Sequence, residues 1–527
     1  MDACPSFLRS LSALLVISFL SSLVLQPLIP SVRAEALSEL TASALELDRL
    51  FQAEQNIVKE LEKFVQLSES KLELAKRYLE TYREHNPMLQ PSNPVRDYKL
   101  MQRVESLWTE ELYTPDLLET LTSVQRRVEE FTNSETGTRP GTEEALETLR
   151  AMVEVQSVYD LDVTDLAEGR LMGLDTGTKM SVDDLLKLAG VMCASNAVDK
   201  CLVWLEGALQ VAMARNLTDW VNDIRPSYTD MIKRHDKRLS QGGTPGMQLF
   251  PYPVGDGSPR AMQRELEEHI TLADKAAAIN KLCRGTELRD ASQLSKLYCK
   301  YERPHPYLFM QPLKTEVQNI DPYLCIYHDV LRKSEIDQLI VTARPHMERS
   351  MVGIGHDSWT GRVSSSSRLE DTDHPVVMTL NRRIEMATGL DVTNRTGYEQ
   401  EMLQVCEYGT GGQFSAHHDY LNLADEAILQ SFIDNEDDAY ITGERIATIM
   451  FYLNPVLRGG RTVFPYLGVS VEPEQGSAVY WDNVLPDGTA DERTLHSGCP
   501  VAYGYKWIAN KFIRELSQTF RRPCREV

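Results

Sequence analysis

Tyr408-Gly-Thr-Gly-Gly-Gln-Phe-Ser-Ala-His-His-Asp419 is the stretch on which the reading of this chain turns. A glycine-rich turn, Gly409-Thr-Gly-Gly412, separates an apolar run from a short extended segment. From Pro322 to Arg514 the same grammar repeats. Glu401–Tyr408, Ile446–Leu453, Ser477–Trp481 and Trp507–Phe512 are β-rich runs, and Gly459-Gly460 marks a second tight turn. Many short strands between glycine turns favour a barrel or a sandwich.

The chemistry sits on those strands. Residues two apart on a strand point to one face, so His417 and Asp419 can reach a single metal ion while His418 faces away. Two histidines and a carboxylate make the facial triad of non-haem iron(II) oxygenases, which leaves coordination positions open. His496, 77 residues after Asp419, is the candidate third ligand. Lys506 follows ten residues later, about one strand and a turn away. A lysine buried beside a metal needs an anion, and a dicarboxylate cosubstrate supplies one. An H-x-D tripeptide alone is a weak signal, and a solvated strand lysine is the plain alternative; the spacing of the four residues together points to a site.

Upstream the pattern is helical. In residues 35–135, Leu40, Leu47, Leu50, Ile57, Leu61 and Phe64 recur at threes and fours, with Glu54 interrupting. This seam suits a helical pair or a dimerising coiled coil, or equally an amphipathic helix packed on its own domain. Pro87, Pro91 and Pro94 break it, and Tyr98–Glu111 starts another helix. After the linker Thr136–Gly141, helical periodicity covers residues 142–240. Ser181-Val-Asp-Asp184 reads as a helix cap opening a helix pair that runs through Ala214, similar to a tetratricopeptide unit. Tyr159, Trp204, Trp220 and Tyr228 are candidates to line a peptide groove or simply to pack a core. Residues 241–260, rich in Pro and Gly, read as a linker to a C-terminal domain over 261–527.

A chain of 527 residues predicts about three domains. Its net charge of −22 makes nucleic acid an unsuitable partner. Arg9, the apolar run Leu11–Leu25 and the small residues before Ala34 read as a secretory signal over 1–34, leaving no span after cleavage. Secretion makes disulfides available to the cysteines that remain, and closeness in sequence suggests Cys193–Cys201, Cys283–Cys299 and Cys499–Cys524. Cys325 and Cys406 sit in apolar strands and read as buried thiols. Asn216 and Asn394 begin glycosylation sequons.

Taken together, Tyr408–Asp419, Gly460-Arg-Thr-Val-Phe-Pro465, His496-Ser-Gly-Cys-Pro500, Lys506-Trp507 and Phe520-Arg-Arg-Pro-Cys524 resemble the alpha subunit of procollagen prolyl 4-hydroxylase. Tyr98-Lys-Leu-Met-Gln-Arg103 through Trp108 and Tyr159-Asp-Leu-Asp162 resemble its N-terminal and middle regions. The resemblance implies a C-terminal double-stranded β-helix, or jelly roll, with Fe(II) on His417, Asp419 and His496. It implies 2-oxoglutarate held through Lys506, with Tyr408, Tyr452 and Thr462 helping. It also implies O2 and ascorbate as reactants, hydroxylation of peptidyl proline at C4 in collagen-like chains, and release of succinate and CO2. The implied setting is the endoplasmic reticulum lumen, in an alpha2beta2 tetramer with protein disulfide isomerase.

The chain departs from that family where Val191–Val198 carries no tyrosine and where Arg368 stands in place of the usual tryptophan, although Arg362-Val-Ser364 matches. Two further readings therefore stand beside the first: another secretory 2-oxoglutarate oxygenase, for example a lysyl one, and a non-catalytic peptide-binding subunit. Lysyl relatives hold the cosubstrate with arginine, which Lys506 argues against. No iron ligand is missing, which argues against the second.

Overall fold

The computed structural model describes residues 44–84, 116–133, 142–195, 197–240, 272–350, 362–393, 400–423, 425–434 and 438–522. The signal segment, the prolines at 87–94, Tyr98–Glu111, both linkers, Asn394 and Cys524 lie outside them.

Helix α1 (Ala44–Glu84) is 41 residues long, about 60 Å at 1.5 Å per residue. Helix α2 (Asp116–Asn133) packs along it, tied by Lys71 to Asp116 at 3.7 Å and by Ser123 donating to Glu60 at 3.2 Å. Leu50, Ile57 and Phe64 are half-buried on one stripe of α1, as their spacing requires, whereas Leu61, expected on the same seam, is exposed. One residue further on, Phe51, Val58, Val65, Leu72 and Leu79 form a second stripe that stays exposed.

Helices α3 (Thr142–Tyr159), α4 (Val163–Ala167), α5 (Val182–Ala194), α6 (Val198–Ala214) and α7 (Thr218–Ser240) follow, with a small hairpin of β1 (Arg170–Leu171) and β2 (Leu174–Asp175). The expected cap is present: the Ser181 hydroxyl accepts from the Asp184 amide, and the Asp184 carboxylate accepts from the Ser181 amide at 2.8 Å. Leu185, Leu188, Met192 and Trp204 fill the core between α5 and α6, so Trp204 packs rather than lines a groove. Trp220 is exposed and Tyr228 half-buried. Asn216 is exposed in the turn after α6.

Helix α8 (Leu272–Cys283) leads into the β region, where α9 is Ala291–Leu294, α10 Lys333–Ala343, α11 Pro375–Thr388 and α12 Glu426–Asp434. The strands are β3 (Cys299–Glu302), β4 (Leu313–Asn319), β5 (Leu324–His328), β6 (Glu348–Arg349), β7 (Ser365–Leu369), β8 (Leu403–Tyr408), β9 (Phe414–His417), β10 (Arg445–Tyr452), β11 (Arg458–Gly459), β12 (Thr462–Phe464), β13 (Val469–Val471), β14 (Ala478–Asp482), β15 (His496–Gly498), β16 (Val501–Tyr503) and β17 (Lys506–Arg514). Nine of them form one antiparallel sheet in the order β3-β4-β5-β14-β10-β17-β8-β7-β6, and four form a second in the order β13-β12-β15-β9. The larger sheet is buried on both faces. Ala447, Ile449, Phe451, Tyr480, Trp507 and Ala509 pack beneath Ile336 and Leu339 of α10 and Val377 and Leu380 of α11. The alternate residues Cys406, Tyr408, Met450, Tyr452, Trp481 and Ile508 meet Phe464, Val469 and Val471 of the smaller sheet. Double burial is why these strands read as continuous apolar runs rather than as alternating ones.

The helical and β regions meet through α3. Val155, Val158 and Tyr159 bury against Ala416, Val463, Leu495 and Ala502, and the Tyr159 hydroxyl donates to the Pro500 carbonyl at 2.6 Å. Gly411 sits at φ +76, and a Cβ there would lie 2.5 Å from the Ala151 Cβ. Gly411→Ala is expected to destabilise the chain by about 1–3 kcal/mol, from strain and from separation of α3, measured as a shift of the denaturation midpoint. An unchanged midpoint would contradict this close approach.

The disulfides correct the expectation in part. Cys193–Cys201 forms. Cys283 joins Cys499 across 216 residues, so neither Cys283–Cys299 nor Cys499–Cys524 forms, and Cys299 is an exposed thiol. The reason is packing: the end of α8 lies on the smaller sheet, and the two Cα atoms stand 5.7 Å apart, within bridging distance. Closeness in sequence carries no such information. Cys325 and Cys406 are the expected buried thiols, on β5 and β8.

Candidate metal centre

His417 closes β9 and His496 opens β15. The two are Cα partners on adjacent antiparallel strands, so their side chains emerge together on the face turned to the larger sheet. Asp419 follows two residues after His417. One ligand atom from each of the three residues lies within 4.8 Å of the others. The Asp419 Oδ1 is 3.6 Å from the His417 Nε2 and 3.7 Å from the His496 Nε2.

Backbone carbonyls set the ring orientation. Nδ1 of His417 meets the Ser415 carbonyl at 2.8 Å, and Nδ1 of His496 meets the Thr494 carbonyl at 3.1 Å. A carbonyl only accepts, so each Nδ1 carries the proton and each Nε2 offers its lone pair to the common centre. Burial, and then the neighbouring His496, push the His417 pKa well below the ordinary imidazole range, which keeps it neutral. The Asp419 Oδ2 accepts from the Thr448 hydroxyl at 2.7 Å, and that hydroxyl accepts from the Asn483 amide at 3.0 Å. Two neutral nitrogens, one carboxylate and their supporting hydrogen bonds fit a divalent first-row metal such as iron. His418 faces away, its Nε2 on the Glu492 carbonyl at 3.0 Å.

Around the triad lies a small cavity walled by both sheets, and Lys506 lines it. Its ammonium donates to the Gly460 carbonyl at 2.7 Å and to the Thr462 hydroxyl at 3.5 Å, between the rings of Tyr408 and Tyr452 at 5.8 and 5.4 Å. Among the described residues it forms no ion pair with a carboxylate. Burial pulls its pKa down to about 7. Such a site lacks a counter-anion and suits one. Gly460, at φ +69, lets the lysine stem pass 3.4 Å from where a Cβ would stand. Among the described residues the buried Trp481 indole N–H has no partner, and its ring borders the cavity, a further donor suited to a polar ligand.

The sequence-derived residues thus converge. Tyr408 and Thr462 line the cavity with Lys506. Tyr452 stands behind, its hydroxyl donating to Thr462 at 2.9 Å. Sequence reading passed over Thr448, Asn483, Phe414 and Trp481. Thr448 and Asn483 had a signal, as single polar residues within or just after apolar runs. Thr448→Val preserves shape but removes the support of Asp419, and is expected to weaken anaerobic Fe(II) binding about 10- to 100-fold. Unchanged affinity in a metal titration would refute that support.

Two family models match the chain. Residues 43–173 match the prolyl 4-hydroxylase alpha-subunit N-terminal region, and residues 403–514 match the 2OG-Fe(II) oxygenase superfamily. The prolyl 4-hydroxylase subunit alpha-1 of Gallus gallus is 30% identical over 524 residues, covering 89% of this chain and 95% of that protein. The chain belongs to the prolyl 4-hydroxylase alpha-subunit family. The human prolyl 4-hydroxylase subunit alpha-3 is 29% identical over 538 residues, covering 94% of each chain. A solved viral collagen prolyl hydroxylase from Paramecium bursaria Chlorella virus-1 is 26% identical, covers 36% of this chain and 95% of its own, and gives a TM-score of 0.28. This prolyl 4-hydroxylase-family chain is an Fe(II)- and 2-oxoglutarate-dependent oxygenase, with its metal-ligating cluster inside the matched C-terminal segment.

Proposed function

We propose that this chain is the catalytic subunit of a procollagen-type prolyl 4-hydroxylase, with its iron on His417, Asp419 and His496 and its 2-oxoglutarate on Lys506. The convergence of the triad and Lys506 on one cavity carries the reading. When bound, Fe(II) supplies the oxidation, in which 2-oxoglutarate and O2 become succinate and CO2 as one oxygen atom enters C4 of a peptidyl proline. The side chains position and shield. Lys506 fixes the distal carboxylate, while Tyr408 and Thr462 contact the same end. Tyr452 holds Thr462 in place. Burial pushes the Tyr408 phenol up to about 12, so it remains a donor. Met450, Ile508 and Trp481 make the walls apolar and keep water from the reacting atoms. No acid, base or nucleophile of the protein is required.

The two facing sheets suit a double-stranded β-helix, and α5 to α7 suit a tetratricopeptide-like unit that takes an extended proline-rich strand. Ascorbate as reductant, the lumen of the endoplasmic reticulum and a protein disulfide isomerase beta subunit complete the reading. No described helix is long and apolar enough to cross a membrane. Within an alpha2beta2 assembly, the exposed stripe of α1 pairs the two alpha subunits: its five apolar residues recur every seven positions, the period of a coiled-coil seam. Val65→Glu with Leu72→Glu is expected to halve the assembly mass in light scattering and leave turnover per site unchanged; an undiminished mass would contradict that pairing. The activity is tested by 2-oxoglutarate-dependent succinate release. Proline-rich collagen-like peptides are expected to stimulate it, and stimulation by lysine-containing peptides alone would overturn the reading.

A further inference from the structure

Lys506 is not the only cation in the cavity wall. Arg362, which precedes β7 and forms a lone β-bridge to Phe414, is 6% exposed and lines the cavity. Its Nε donates to the Ser364 hydroxyl at 3.0 Å and its Nη2 to the Cys406 sulfur at 2.9 Å. Its guanidinium lies 4.7 Å from the centre of the Phe414 ring, and that ring stacks on His417 at 3.6 Å. Ser364 and Cys406 are neutral, and Tyr408, the third polar group beside it, is a phenol. Among the described residues no carboxylate pairs with Arg362. The contrast with its neighbours is sharp: Arg514, buried still more deeply, and Arg445 share Glu401 at 3.2 and 2.6 Å. A buried lysine can shed its proton, but a guanidinium cannot. A permanent buried charge whose hydrogen-bond partners are all neutral, with the Asp419 carboxylate acting only at longer range, is costly, and an anionic ligand reduces that cost.

Register gives the position. Tyr408 is the Cα partner of Lys506, and Cys406 is the partner of Ile508. Arg362 meets the wall at Cys406 and also reaches the Tyr408 phenol, so it stands up to two residues, roughly 7 Å along the strand, from the level of Lys506. It lies toward the end where Thr448, paired with Phe512, holds Asp419. That separation matches the two carboxylates of an extended five-carbon diacid.

We infer that Arg362 is a second anion-binding residue of the cavity, taking the oxo-acid carboxylate of the cosubstrate while Lys506 takes the distal one. This rests on the 2-oxoglutarate reading above. Planar guanidinium and planar carboxylate meet through paired N–H donors, a geometry that fixes direction as well as charge. A cation at each end holds both carboxylates, and the metal ligands on the Arg362 side set which end takes the oxo acid.

The test uses the full-length assembly loaded with Mn(II) under argon. Calorimetry gives the affinities of 2-oxoglutarate and of 2-oxobutanoate, which shares the oxo-acid head but has no distal carboxylate. Arg362→Gln is expected to weaken both ligands by a similar factor of about tenfold or more, with Mn(II) affinity unchanged. Lys506→Met is expected to weaken 2-oxoglutarate alone. Wild-type affinity for both ligands in Arg362→Gln, including the case where only the peptide requirement rises, would overturn the inference. So would weakened Mn(II) binding, which would mark Arg362 as a structural prop of the Phe414–His417 stack. If Arg362→Gln does not fold, Arg362→Met, which removes the buried charge altogether, is read against the same expectations. Failure of the unaltered protein to bind 2-oxoglutarate would instead refute the proposed function itself.

Discussion

Alanine at His417 or at His496 is expected to reduce turnover to background and to leave the purified protein without stoichiometric iron. Each histidine supplies one of only two neutral nitrogen donors, and each ring is aimed by its own carbonyl, that of Ser415 or Thr494. A lone imidazole with one carboxylate no longer makes the three-point face that such a metal needs. The loss is local. The two residues pair across β9 and β15 through the backbone, which alanine preserves, so the melting behaviour of the metal-free protein should change little. Metal analysis together with a turnover assay decides the matter; a variant that keeps both iron and activity would remove that histidine from the site.

Lys506→Ala should act differently, on the cosubstrate rather than on the metal. Removing one partner of a buried charged hydrogen bond costs about 1.5–3 kcal/mol, a rise in the 2-oxoglutarate requirement of roughly 10- to 150-fold. A pH signature accompanies it. In the free site burial pulls the Lys506 pKa down to about 7, whereas a bound carboxylate stabilises the charged form and raises it again. Binding above pH 7 therefore takes up a proton, and affinity falls about tenfold per pH unit there. Below pH 7 the lysine is already charged, and this dependence disappears. The alanine variant should lack the slope. A variant with the same affinity and slope as the unaltered protein would refute the role.

What could be read from the sequence follows physical lines. The triad was legible because strand geometry places alternate residues together, so His417 and Asp419 declared a shared face without any fold. The lysine was legible from its spacing, ten residues beyond His496 and so about one strand and a turn away. The strands around them were visible as apolar runs, but burial on both faces erased the alternation that would have shown which side chains face the cavity. Met450 and Trp481 were therefore hidden among their neighbours, and Thr448 showed only as a lone polar residue in its run. Long-range pairing was hidden as well. Cys283 finds Cys499 because α8 docks on the smaller sheet, and nothing in either local sequence reports that docking. The same holds for α3, whose apolar face looks like that of any helix yet closes the back of the metal-bearing sheet through Val155, Val158 and Tyr159.

The central claim is that one cavity couples 2-oxoglutarate to oxidation of proline at a metal held by His417, Asp419 and His496. Mass spectrometry after reaction under isotopically labelled O2 tests it most directly, with Fe(II), 2-oxoglutarate, ascorbate and a Pro-Pro-Gly peptide added to the assembled protein. The account predicts one labelled oxygen atom on proline C4 and one in succinate, in equal yield. Labelled succinate without labelled proline on any proline-containing peptide, with iron shown to be bound, would contradict it.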